Sequence, residues 1–138
     1  MKFTIKELMF ILICVLLLSG CTNQYSSKSL AEKDYLVYGQ LNIDNYDLLL
    51  NFIDLYNKKQ NSELKIAVFT DEGDPILHKI SFSDNVITYS YDSTHDDNGY
   101  KEKLETTCSD LIRENNLYVL KNCENNSTGE KLRIRLKN

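Results

Sequence analysis

Glu63-Leu64-Lys65-Ile66-Ala67-Val68-Phe69-Thr70-Asp71-Glu72-Gly73-Asp74-Pro75-Ile76-Leu77-His78-Lys79-Ile80-Ser81-Phe82 is where the apolar period of the chain shortens from near four to two. Successive side chains alternate across a strand, so Leu64, Ile66, Val68 and Thr70 share one face of a first strand. Ile76, His78, Ile80 and Phe82 share one face of a second. Residues 71–75 connect them as a turn, in which Gly73 accepts positive φ and Pro75 restarts extended backbone.

On the N-terminal side of this stretch the period is helical. Asp44 is suited to an N-cap, Asp47 falls in the first turn, and Leu49, Phe52, Ile53 and Tyr56 recur on one face, which predicts an amphipathic helix over residues 46–59 with Lys58 and Lys59 at its C-terminal end. On the C-terminal side the period stays at two. Ser83-Asp84-Asn85 makes a tight turn, residues 86–91 a third strand, residues 92–99 a polar loop and residues 100–107 a charged strand. Ser109 caps a short helical turn to Arg113, and residues 117–121 and 131–137 complete the sheet. In the last strand Leu132, Ile134 and Leu136 point inward, while Lys131, Arg133, Arg135 and Lys137 form a row of like charge that reads as a solvated edge defence, with a binding patch as the alternative. The fold class expected is α+β: one long N-terminal helix packed on one face of a five- or six-stranded antiparallel sheet, with a short second helix. Such a helix covers one face only, so Tyr89 and Tyr91 on the open face would form an aromatic platform beside the acidic turn.

Lys2 and Lys6 precede an apolar run over residues 8–18, which is shorter than a membrane span and has the layout of a secretory signal. Leu18-Ser19-Gly20-Cys21 looks like a bacterial lipobox, in which the Cys21 thiol is alkylated by a diacylglyceryl group and the chain is cut before it. The competing reading is an ordinary signal peptide in which Cys21 is incidental. Residues 1–20 are expected to be the signal, residues 21–34 a polar tether and residues 35–138 a single domain. Removing the signal takes Lys2, Lys6 and Glu7 from 16 basic and 20 acidic residues, leaving 14 against 19. That balance argues against nucleic acid as a partner and against electrostatic attraction to anionic headgroups. Attachment to the outer face of the plasma membrane would then rest on the lipid on Cys21, and the protein would be extracytoplasmic.

Cys14 leaves with the signal and Cys21 takes the lipid, so Cys108 and Cys123 remain as a pair in a compartment where thiols oxidise. A disulfide between them is expected, worth roughly 3 kcal/mol on the chain-entropy view. Metal ligation or redox cycling is the alternative, without a Cys-x-x-Cys spacing or a nearby histidine to favour it.

Three groups of residues are candidates for chemistry. Asp71, Glu72 and Asp74 bring three carboxylates to one turn, as an acid/base pair, a cation site or simply solvated charge. Residues 92–99, with Asp92 and Asp96, invite comparison with a calcium loop, but neither register supplies both the first aspartate and the glycine, and strands flank it. His78 and His95 have no triad or zinc spacing, and His78 reads as a sheet histidine with a satisfied ring. No cofactor fingerprint is present and no metal is assigned.

Thr70-Asp71-Glu72-Gly73-Asp74-Pro75-Ile76, then Tyr89-Ser90-Tyr91-Asp92 with Asp96, then Cys108 and Cys123, resembles a family of small uncharacterised lipoproteins of Gram-positive, Bacillus-type bacteria. The resemblance implies a lipid anchor, a disulfide and one compact domain, and it implies no activity. Two functions are expected in order. The first is a non-enzymatic module that binds a peptide, glycan or envelope protein through Glu72, Gly73, Asp74, Pro75, Tyr89, Tyr91, Asp92 and Asp96. The second is a small hydrolase or cation-dependent enzyme using the carboxylates of residues 71–74.

Overall fold

A computed structural model describes residues 25–137. The signal, the lipobox and Cys21 lie outside the described residues. In chain order the elements are α1 (Ser27–Ala31), β1 (Tyr35–Tyr38), β2 (Ile43–Asp44), α2 (Tyr46–Asn57), β3 (Ser62–Phe69), β4 (Pro75–Ser83), β5 (Val86–Asp92), β6 (Lys103–Glu114), β7 (Leu117–Cys123), α3 (Asn126–Gly129) and β8 (Ile134–Arg135). They build one eight-stranded sheet, ordered β2-β1-β3-β4-β5-β6-β7-β8 and curled into a half-barrel.

This corrects the α+β expectation of a long N-terminal helix on a five- or six-stranded antiparallel sheet. The three helices among the described residues are short, and the longest, α2, has 12 residues and follows two strands. β1 runs parallel to β3, with Leu36 opposite Ile66, and the crossover between them carries α2. Tyr35-Leu36-Val37-Tyr38 shows no alternation because both of its faces are covered: Leu36 joins the main core and Val37 a second cluster with Leu30 and Ala67. The second cluster also explains α1. Ser26 accepts the Ser29 amide as an N-cap, and Leu30, 2% exposed, plugs the outer face, so part of the segment expected as tether is folded onto the sheet.

α2 forms where its stripe predicts. Leu49, Phe52 and Tyr56 are buried, and the Tyr56 ring meets Phe82 edge-on at 4.9 Å. It ends at Asn57 because Lys59 turns left-handed (φ 58°), bringing the Lys59 and Gln60 amides onto the Tyr56 and Leu55 carbonyls. Its N-cap is not Asp44, which lies in β2, but Asn45 at φ 57°, whose side-chain amide donates to the Ala31 and Tyr35 carbonyls at 2.8 and 2.9 Å.

β3, β4 and β5 pair as the sequence suggests, with Asp84 and Asn85 both at positive φ in a two-residue turn. The expected helical turn after Ser109 is instead strand. β6 pairs with β5 over residues 103–108 and with β7 over residues 108–114, so it stays extended by changing partners, and the polar pair Ser109-Asp110 sits at the change. The Cys108–Cys123 disulfide fastens that point, and α3 packs against it so closely that a methyl on Gly129 would overlap the Cys123 sulfur. The last strand keeps its alternation, with Leu132 and Ile134 buried, but only Ile134–Arg135 pair with β7.

Candidate functional site

The two rims of the half-barrel approach each other. The Tyr38 hydroxyl of β1 donates to the Arg135 carbonyl of β8 at 2.7 Å, and the Lys137 amide donates to the Tyr46 hydroxyl at 3.1 Å. α2 fills one end of the concave face through Tyr56 and Phe82. At the other end a groove of about 340 Å³ remains, floored by Ile66, Val68, Ile76, His78 and Tyr91 and walled by Tyr38 and residues 131–134. The volume falls within the roughly 300–1,000 Å³ of small-molecule sites, toward the lower end.

The floor is apolar with one polar feature. His78 is 8% exposed; its Nδ1 shares a 2.8 Å hydrogen bond with the Tyr89 hydroxyl, and its ring meets Tyr91 edge-on at 5.4 Å. Burial pulls the imidazole down to about 4, so it is neutral at pH 7, and burial pushes the Tyr89 phenol up, so it keeps its proton. The charged groups lining the groove are both basic, Lys131 and Arg133. Lys131 pairs with Glu102 at 2.7 Å and lies 4.6 Å from the Tyr91 ring centre. A neighbouring trough of about 380 Å³ shares Tyr38, Val68 and Arg133 with the groove and adds Arg135, Gln40 and Asn42.

The residues expected to form one binding surface separate into three places. Tyr89 is fully buried in the main core, so the expected open-face platform is not formed. Its side chain falls on the concave side, because Tyr89 pairs with Ile80 and shares its face. Tyr91, two residues on, is half-buried in the groove. The loop residues gather at one end of the sheet. The Asp97 amide donates to the Asp74 carboxylate at 3.0 Å, and Gln40 reaches the Asp71 carbonyl at 2.6 Å, tying residues 39–42, 70–74 and 92–99 together. Glu72 and Gly73 line a cavity of about 520 Å³ with Tyr25, Leu41 and Phe69, open beside α1. Pro75 is buried and opens β4.

The carboxylates of the acidic loop are taken up by the loop's own groups and by the lysines that follow it, with Lys101 on Asp97 at 2.8 Å. Asp96 accepts the Asn98 and Gly99 amides at 3.1 and 2.8 Å. Asp92 accepts the Thr94 amide and hydroxyl and pairs with Lys103 at 3.0 Å; partial burial opposes its ionisation, and these partners outweigh that and hold the carboxyl below its usual range. The described residues contain no group of three or more His, Cys, Asp and Glu able to hold a metal ion. Tyr38 carries no site signal in the sequence, and for Lys131 and Arg133 a binding patch is the less favoured of two readings. The last two read as an edge defence, and only the curl of the sheet brings that edge over the groove.

Fold and site together define a small disulfide-bridged β domain with a half-open apolar groove. The chain belongs to the family Domain of unknown function DUF4362, which matches residues 32–118. No curated protein and no solved structure matches it.

Proposed function

We propose that this is a lipid-anchored, non-enzymatic binding protein of the outer face of the plasma membrane, and that a small apolar ligand occupies the groove between His78, Tyr91 and residues 131–134. The observation that carries the binding role is an apolar concavity that α2 leaves uncovered, with a neutral histidine at its floor. Two features support the location: Leu18-Ser19-Gly20-Cys21, and a disulfide of the kind that persists in oxidising compartments. The lipoprotein character of the resembling family, with its Glu-Gly-Asp-Pro-Ile turn, belongs to the same proposal. The loops of residues 70–74 and 92–99 flank the site as a hydrogen-bonded unit rather than as its floor.

Binding is tested with the neutral fluorophore N-phenyl-1-naphthylamine on the folded domain. Fluorescence should rise with wild type and fall to background with Ile76→Trp, which fills the groove, while circular dichroism stays unchanged. Equal signal from both proteins, or none from wild type, would refute the groove as the site. Location is tested by intact mass from membranes: a lipid-free chain cut before residue 21 contradicts the anchor, and Cys21→Ala should accumulate as precursor.

A further inference from the structure

The groove is not electrically neutral, and its sign is opposite to that of the chain. The sequence has 20 acidic and 16 basic residues, yet both charged residues lining the groove are basic, and the adjoining trough adds a third basic residue and no carboxylate. Glu102 neutralises Lys131. Arg133 and Arg135 make no ion pair among the described residues. Arg133 is placed at the junction, lining both the apolar groove and the polar trough. A guanidinium in that position offers a planar fork of donors matched to a carboxylate, while the floor offers only hydrocarbon, aromatic faces and a neutral imidazole.

Resting on the binding role proposed above, we infer that the ligand is a single-chain anionic amphiphile: a free acyl or aryl carboxylate whose apolar body lies on Ile66, Val68, Ile76 and Tyr91 and whose carboxylate pairs with Arg133. The size of the groove, about 340 Å³, suits one short chain rather than the paired chains of a bilayer lipid. The neutral state of His78 fits the same ligand, since its floor position meets the apolar end and not the carboxylate.

The experiment is displacement of the bound naphthylamine probe by decanoate, decanol and decylamine, which share a chain and differ in head charge. Decanoate should displace at least about tenfold more tightly than decanol, the scale of one charge-assisted pair, and decylamine should be weakest. Arg133→Gln should remove the preference for decanoate and leave decanol unchanged, Arg133→Lys should restore part of it, and Lys28→Gln, exposed on α1 at the outer face of the sheet, should change neither. Equal affinity for decanoate and decanol in wild type overturns this inference while leaving an apolar groove. Failure of the probe itself to bind overturns the earlier proposal instead. Sedimentation with vesicles of anionic phospholipid, in place of decanoate binding, would show that a membrane surface is what the arginines meet and would also overturn it.

Discussion

His78 shows how much one position can carry. Its ring is buried, bonded through Nδ1 to Tyr89 and packed on Tyr91, so protonation would strand a charge among apolar groups. Its folded value of about 4 lies below the 6.5 of an unfolded histidine, so the stabilisation is complete above pH 6.5 and is lost as pH falls through 4. The loss should be on the order of 3 kcal/mol. Denaturant melts of wild type and His78→Gln between pH 7 and pH 4 check this: the variant should be less stable at pH 7 and show a shallower decline. Equal slopes would mean that carboxylates alone set the acid limit. Asn45 is a second such position, left-handed and donating to two carbonyls from α1 and its junction with β1. Asn45→Ala should cost about 2–3 kcal/mol, combining lost hydrogen bonds with a strained backbone, and Asn45→Gly should cost about 1 kcal/mol less because glycine accepts the backbone. Chemical denaturation of the two variants separates the contributions.

Among the elements, the disulfide sits where β6 changes partner from β5 to β7, and α3 closes over it through Gly129. Cys108→Ser should lower stability by about 2–4 kcal/mol and loosen β7 and α3 more than β3 and β4. Hydrogen exchange resolves this by element, and a uniform loss across the sheet would argue that the bridge acts on the unfolded chain alone. The element scale is also where the sequence was most and least readable. α2, β4 and β5 announce themselves because each buries mainly one face, and period follows from one-sided burial; β3 keeps its period although Ala67 also enters the second cluster. β1 is buried on both sides and α1 is five residues long, so neither leaves a period to read. Ser109-Asp110 mimics a helix cap because local hydrogen-bonding chemistry is the same in a cap and in a strand that switches neighbours; only pairing decides. Tyr89 and Tyr91 were readable as one face, but whether that face is wet depends on curl, a property of the assembled sheet.

For the whole molecule, the half-barrel has two rims, a two-residue strand at each edge, and a pair of tyrosine hydroxyls across the gap. Backbone pairing alone holds β8 weakly, at Leu117 with Arg135 and Tyr118 with Ile134. The wall of the groove therefore depends on Leu132 and Ile134 in the core and on the Tyr38 hydroxyl, whose proton burial holds in place so that it remains a donor to Arg135. Tyr38→Phe keeps the ring and removes only that bond, so global stability should fall by about 0.5–1.5 kcal/mol. Local consequences should be larger: amides of β8 should exchange faster by roughly the factor that one lost hydrogen bond implies, about 2- to 10-fold, with β3 and β4 unchanged. Because the wall would open more often, ligand dissociation from the groove should speed up while association changes little. Unchanged β8 exchange in Tyr38→Phe would mean that the hydrophobic anchors alone close the rim. In that case Leu132→Ala, not Tyr38→Phe, should be the variant that releases the wall.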